Sequence, residues 1–324
     1  MSGAFRSPIA RPPTSFQSWS DRVFRIVAQS FGVAVVLLLA SIVVQVLRHA
    51  APAMAQHGVG FLVRSRWDTN HDTYGVLPQI IGTLYTSLLA LLLGGVLGIT
   101  VALVTSQGFI GKRWELTMKN IIELLAAIPS VVYGLWGIFV LIPFLRATVF
   151  PALKGAFGFL PLFEGPIYGP SMLSASIILA IMVMPYIMSV SREVLLAVPG
   201  SQREAALALG ATRWEAVVTA VVPYARTGIM GAIILGLGRA LGETMAVTML
   251  IGNRHEIAAS LFAPGYTMAA AIANEFAEAA TPMHFSALTY VAFTLFVVTV
   301  LVNAGARLLI WRVARGSGAG SSAL

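Results

Sequence analysis

The sequence predicts an all-α membrane protein that crosses the bilayer six times. Three observations predict it. Hydrophobic residues make up 57% of the 324-residue chain and charged residues only 10%, against about 25% charged in a soluble domain. Six apolar runs approach or exceed the roughly 20 residues that a transmembrane helix needs. Lys and Arg gather at the flanks of these runs, where membrane orientation is set. The formal charge of +8 is therefore assigned to orientation and not to nucleic acid. The absence of cysteine excludes disulfides, thiolate metal sites and Cys nucleophiles.

Residues 1–21, with Arg6, Pro8, Arg11, Pro12 and Pro13, lack periodicity and read as a disordered cytoplasmic tail. The first span is 26–47. It exceeds a signal-peptide core of about 7–15 residues, and Arg48 and His49 follow it, so it is read as retained although Ala53-Met54-Ala55 resembles a cleavage site. A polar loop occupies 48–78 and the second span 80–105. A short basic loop (Lys112, Arg113, Lys119) leads to the third span, 121–145, with Glu123 near its start and Pro129 inside. The loop 146–170 is rich in Pro, Gly and aromatics. The fourth span is 172–190 and contains Pro185. A polar elbow, about 192–224, feeds the fifth span, 227–251. A second long loop, 253–283, carries a turn at Pro264-Gly265 and a helix-like run over 269–280. The last span is 284–310, and the Gly- and Ser-rich 313–324 read as a second disordered tail. The membrane domain is thus 22–312.

Positive charge orients the spans. With the N-terminus in the cytoplasm, Lys112, Arg113, Arg192, Arg203, Arg213 and Arg307 fall inside, and Arg48, Arg64, Arg66, Arg146, Lys154 and Arg254 outside. Counting the tails, the inner set is the larger, so both termini and the elbow are cytoplasmic.

The elbow has its own chemistry. Pro199 starts a short helix, Ala205, Ala206 and Ala208 give it a close-packing face, and Gly210 breaks it. Thr212 then caps a second short helix, with Glu215 as its capping-box partner. Two short helices at an angle make a knob for the cleft of a soluble partner. The competing reading is an ordinary amphipathic loop.

The fifth span carries Arg239 and Glu243. A charge near mid-bilayer costs at least about 2.5–3.5 kcal/mol and must face the bundle or a wet cavity. Two roles fit: a mutual ion pair, or an anion path in which the guanidinium fork of Arg239 meets an oxyanion. Gly238-x-x-x-Gly242 and Gly94-x-x-x-Gly98 read as close packing within the chain. The five histidines (His49, His57, His71, His255, His284) scatter through the outer loops and read as solvated. No phosphate-binding G-x-x-x-x-G-K-[ST], H-E-x-x-H or G-x-S-x-G occurs. The sequence thus offers no nucleotide site, metal site, catalytic residue or cofactor motif. An intramembrane enzyme using Glu243 as an acid–base group would need a second catalytic group that no motif supplies.

Glu204-Ala205-Ala206, Gly210 and Pro223 fit EAA-x3-G-x9-I-x-LP, with Ala220 and Val222 in place of Ile and Leu, and so resemble the coupling signature of ABC importer permeases. The run 236–248 around Arg239, the stretch Glu123–Ser130 with Val132-Tyr133-Gly134, and Ala273-Asn274-Glu275-Phe276-Ala277-Glu278-Ala279 narrow the resemblance to the PstC permeases of phosphate importers. Trp67-Asp68, Tyr74-Gly75 and Gly82-Thr83 add to it. The R-A-L-G-E core alone is shared with permeases for molybdate and sulfate, which stand as alternative substrates. The resemblance implies a type I ABC importer permease fold in the bacterial inner membrane. The coupling signature points to ATPase coupling through Glu204, Ala205, Ala206 and Gly210, and the charges within the fifth span make Arg239 and Glu243 the candidate path or gate. The implied partners are a sister permease of PstA type, two ATPase subunits of PstB type and a periplasmic phosphate-binding protein of PstS type.

Overall fold

A computed structural model describes residues 14–318. The first helix, α1 (Ser15–His57), starts at a capping box: the Gln17 amide donates to Thr14 Oγ1 at 3.4 Å, and the Thr14 amide donates to Gln17 Oε1 at 3.0 Å. Residues 15–21, expected in the tail, are therefore helical, because the cap satisfies the free amides ahead of the apolar run. The expected tail segments 1–13 and 319–324 lie outside the described residues. Only Ala50 and Ala53 of α1 are buried, where Ser286 donates to the His49 carbonyl at 2.7 Å and accepts from the Ala53 amide at 3.0 Å.

The centre of the bundle is α2 (Leu77–Ser106) against α5 (Met172–Leu196). A Cβ on Gly94 would lie 2.6 Å from the Ala180 carbonyl oxygen, and one on Gly98 2.9 Å from that of Met184. The small residues thus bring two helix backbones together inside the chain. The core spreads from this seam through Ile178, Leu179, Val183 and Ile187 to Phe150, Leu250, Ile251 and Phe262.

Between these helices the third span departs from expectation. Residues 112–127 form a separate amphipathic helix, α3 (Lys112–Ala127), and the crossing helix is α4 (Ser130–Phe157). Pro129 causes the shift. It lacks an amide hydrogen and disfavours helical backbone at the residue before it, and both Ile128 and Pro129 are extended. Glu123 lies on α3, with its carboxylate 3.5 Å from Lys119.

After α5 come α6 (Gly200–Ala208), α7 (Arg213–Leu241), α8 (Met245–Ile251), α9 (Met268–Glu275) and α10 (Pro282–Gly318). The expected fifth span is thus two helices, broken at Gly242-Glu243-Thr244. The last helix continues past 312 to Gly318. Among the described residues six helices, α1, α2, α4, α5, α7 and α10, are long and apolar enough to cross a membrane. One end of the bundle carries the elbow. The other carries the long loops and α9, whose Met268, Ala270 and Ala271 are fully buried.

Candidate coupling surface and transport path

The elbow has the local structure its residues dictate. Helix α6 begins after Pro199 and ends in a Schellman turn. The Gly210 amide donates to the Leu207 carbonyl at 3.0 Å, and the Ala211 amide to the Ala206 carbonyl at 3.2 Å. Gly210 has φ +91°, a left-handed conformation that side chains resist. The Glu215 amide then donates to Thr212 Oγ1 at 3.3 Å, and the Thr212 amide to Glu215 Oε2 at 2.8 Å. The second helix is not a short one, as expected, but the start of α7. Among the described residues the knob is only lightly covered, with the Phe109 ring 5.9 Å from that of Trp214. Glu204 and Ala205 are exposed, Ala206 is half-buried, and Leu209 is 91% exposed. With Trp214 also exposed, this is an apolar patch rimmed by charge, the pattern of a surface that another protein covers.

Helix α7 joins the elbow to Arg239 as one helical run, with a π-helical turn at Val217–Val221 near its start. From Arg213 to Arg239 the axis rises about 39 Å at 1.5 Å per residue. Arg239 is exposed, in the last turn of α7, and its guanidinium carbon lies 4.2 Å from the centre of the Tyr186 ring. That position suits a cation electrostatically, since the helix C-terminus and the ring face are both negative. Glu243 sits in the break, half-buried, just ahead of α8. Among the described residues Arg239 has no ion-pair partner, and the mutual Arg239–Glu243 pair weighed from the sequence is not formed. The reason is the break. Residues four apart meet only on a continuous helix, and the helix stops at Leu241. A broken helix at this depth frees backbone groups, which a bilayer tolerates only against protein or a wet cavity. Among the described residues a Cβ on Gly238 would meet only Asn303 Oδ1 at 4.0 Å, and one on Gly242 no other helix within 4 Å, so this small-residue pair forms no backbone-to-backbone seam like that at Gly94 and Gly98, and Gly242 is exposed beside Arg239.

The loop end holds a network that sequence reasoning missed. Glu275, at the end of α9, accepts from Trp67 Nε1 at 2.7 Å, from His255 Nε2 at 3.1 Å and from His284 Nε2 at 3.4 Å. A carboxylate only accepts, so His255 carries its proton on Nε2, and its Nδ1 accepts from Gln79 Nε2 at 2.7 Å. Trp67 stacks on His255 and Tyr74 on His284. His255 and His284 are therefore not solvated loop residues; the His284 side chain is 8% exposed. Burial raises the affinity of Glu275 for a proton, but the hydrogen bonds from His255, Trp67 and Tyr266 outweigh it and hold the carboxyl below its ordinary value. Burial pushes the Tyr266 hydroxyl well above its own. The signal lay in the family-like runs at 67–68, 74–75 and 273–279, whose members meet only in three dimensions. No cluster of ligating side chains suited to a metal ion occurs among the described residues.

Residues 94–315 match the model of the family described as "Binding-protein-dependent transport system inner membrane component". The chain belongs to this family. It is 40% identical over 304 residues to the phosphate transport system permease protein PstC of Mesorhizobium japonicum, covering 93% of both chains. It is 41% identical to the protein of that name from Xylella fastidiosa, over 92% of this chain and 93% of the other. The probable PstC of Methanocaldococcus jannaschii is 36% identical over 79% of this chain and 82% of its own. The fold is that of ABC importer permeases of type I. A bacterial transporter that imports the acidic polysaccharide alginate superposes with a TM-score of 0.55 at 16% identity, over 90% of this chain and 99% of that one. The MetNI methionine transporter in its inward-facing form superposes at 0.51 and 17% identity, over 74% and 95%. As a transport permease of this family, the chain is a multi-pass membrane protein.

Proposed function

We propose that this chain is the permease subunit of an ATP-driven importer for inorganic phosphate in the bacterial inner membrane. The carrying observation is the match, at 40% identity over 93% of both chains, to a phosphate transport system permease protein. The chain forms half of the translocation path, the other half coming from a sister permease of PstA type. The elbow, with Glu204, Ala205, Ala206 and Gly210, docks one of two PstB-type ATPase subunits, which hydrolyse the ATP. A periplasmic phosphate-binding protein of PstS type delivers phosphate to the loop end. The elbow and both termini are cytoplasmic.

The single helical run of α7, which includes a π-helical turn at Val217–Val221, supplies the coupling. A tilt imposed at Gly210–Arg213 when the ATPases close moves the whole rod, including Arg239 and the break at Glu243. Arg239 offers a planar fork to a tetrahedral oxyanion, and Tyr186 stabilises the cation when no anion is present.

Affinity capture of the tagged chain from native membranes tests this reading. The expected result is co-purification with a second permease and an ATPase, and a companion binding protein that takes phosphate. A companion specific for molybdate or sulfate would reassign the substrate. Reporters should read external at Asn70 and Ala279 and cytoplasmic at Gly108; a cytoplasmic Ala279 would overturn the topology.

A further inference from the structure

A cavity of about 180 Å³ lies between α3 and α5, near the elbow end of the bundle. We propose that it is a second binding site, for a phosphate oxyanion, filled on the elbow side of Arg239. Its polar lining is Lys119, Glu123, Tyr186, Ser189, Arg192 and Glu193. At about 30 Å³ per water, the space holds a phosphate group with part of its hydration.

Arg192 is the strongest pointer. Its side chain is 17% exposed, yet its Nε–H is buried and has no hydrogen-bond partner. Its one carboxylate contact is with the adjacent Glu193, at 3.4 Å, and Glu193 is 70% exposed. Buried charged donors are rarely left unpaired, because the lost hydration is not recovered. A phosphate oxygen in the cavity would satisfy Nε–H and a terminal N–H together, in the paired geometry that guanidinium favours. Lys119 stands on the opposite wall, held by Glu123 at 3.5 Å in a partly exposed pair. Such a pair contributes little, and Lys preceding Glu is the weaker order on a helix, so the ammonium is free to turn to an anion.

Tyr186 joins this cavity to the path. One face of its ring carries Arg239, and the residue also lines the cavity. Arg192 lies six residues further along α5, about 9 Å at 1.5 Å per residue. Tyr186, Ser189 and Glu193 recur at i, i+3 and i+7, the spacing of one helix face. Arg192, at i+6, lies off that face and lines the cavity with its long side chain, so Tyr186 is the residue that links Arg239 to the cavity nearer the elbow end. The same phosphate chemistry is carried by free phosphate and by the headgroup of an anionic lipid.

This inference rests on the reading of the Arg239 face as the path. The test uses the whole importer complex without its binding protein, in nanodiscs made of phosphatidylcholine alone or with phosphatidylglycerol. Binding of radiolabelled inorganic phosphate and retention of phosphatidylglycerol by native mass spectrometry are measured. In phosphatidylcholine discs the unaltered complex is expected to bind phosphate saturably. Arg192→Gln should weaken that binding about tenfold or more, the loss of a charge-assisted contact. Lys119→Gln, on a partly exposed helix where folding is not at stake, should weaken it several-fold. If the headgroup is the source, phosphatidylglycerol is retained by the unaltered complex, displaces phosphate, and is lost from Arg192→Gln. Equal phosphate binding and equal lipid retention in all three forms would overturn the site. Arg239→Lys separates the two readings. Impaired uptake by Arg239→Lys, with the loss of phosphate binding caused by Arg192→Gln still seen when the two changes are combined, supports both; unimpaired uptake removes the path reading, and the Arg192 comparison then decides the site by itself.

Discussion

The guanidinium of Arg239 rests on the ring of Tyr186, 4.2 Å from its centre, and not against Glu243 four residues on. The break after Leu241 separates two charges that a continuous helix would have paired. Exchanging them (Arg239→Glu with Glu243→Arg) therefore preserves no contact. It places a carboxylate on the open face beside Tyr186. Phosphate uptake by the exchanged complex should collapse while assembly, followed by co-purification, is kept. Near-normal uptake would leave Arg239 as a packing residue.

Tyr186 is expected to matter through its ring. Tyr186→Leu removes a cation–π contact of roughly 0.5–2 kcal/mol and should lower uptake about threefold to tenfold in an assembled complex. Tyr186→Phe keeps the ring and should retain most uptake. Equal losses in both variants would shift the role to the hydroxyl.

Gly210→Val tests the elbow. At φ +91° a side chain costs about 1–2 kcal/mol, and Asn tolerates this region better than a β-branched residue. The valine variant should insert normally, yet recover less ATPase on pull-down, with Gly210→Asn intermediate. Undiminished recovery and uptake for the valine variant would count against docking at this turn.

Much of this was legible in the chain itself. The elbow turn was, because Pro199, Gly210 and the Thr212–Glu215 box act locally and the backbone obeys them. Six crossings were, because apolar length is a one-dimensional signal. The register of two spans was not. Hydropathy runs smoothly through Pro129 and through Gly242-Glu243-Thr244, while the backbone breaks at both. The Glu275 network was not legible as a site for another reason, although the runs at 67–68, 74–75 and 273–279 held some of its members. Trp67, Gln79, His255 and His284 come from separate segments, and no local period announces a site built by folding.

That network carries a pH dependence. The Glu275 carboxyl is held below its ordinary value in the folded protein, so near the ordinary carboxyl range, at about pH 4.3, the folded chain binds fewer protons than the unfolded one. Its contribution is fully present above that range and is lost as pH falls through the depressed value. In detergent, the unfolding temperature of the unaltered protein should drop more steeply below about pH 4.5 than that of Glu275→Gln, which has no carboxyl to titrate. Parallel curves would remove Glu275 as a stabilising carboxylate.

The most direct measurement is uptake by the whole importer, rebuilt in proteoliposomes with its ATPase and binding protein. Radiolabelled phosphate should accumulate only when ATP reaches the elbow side, sulfate and molybdate should not accumulate, and Arg239→Lys should impair transport while ATP hydrolysis persists. Accumulation without ATP, or of sulfate or molybdate in preference to phosphate, would contradict the account.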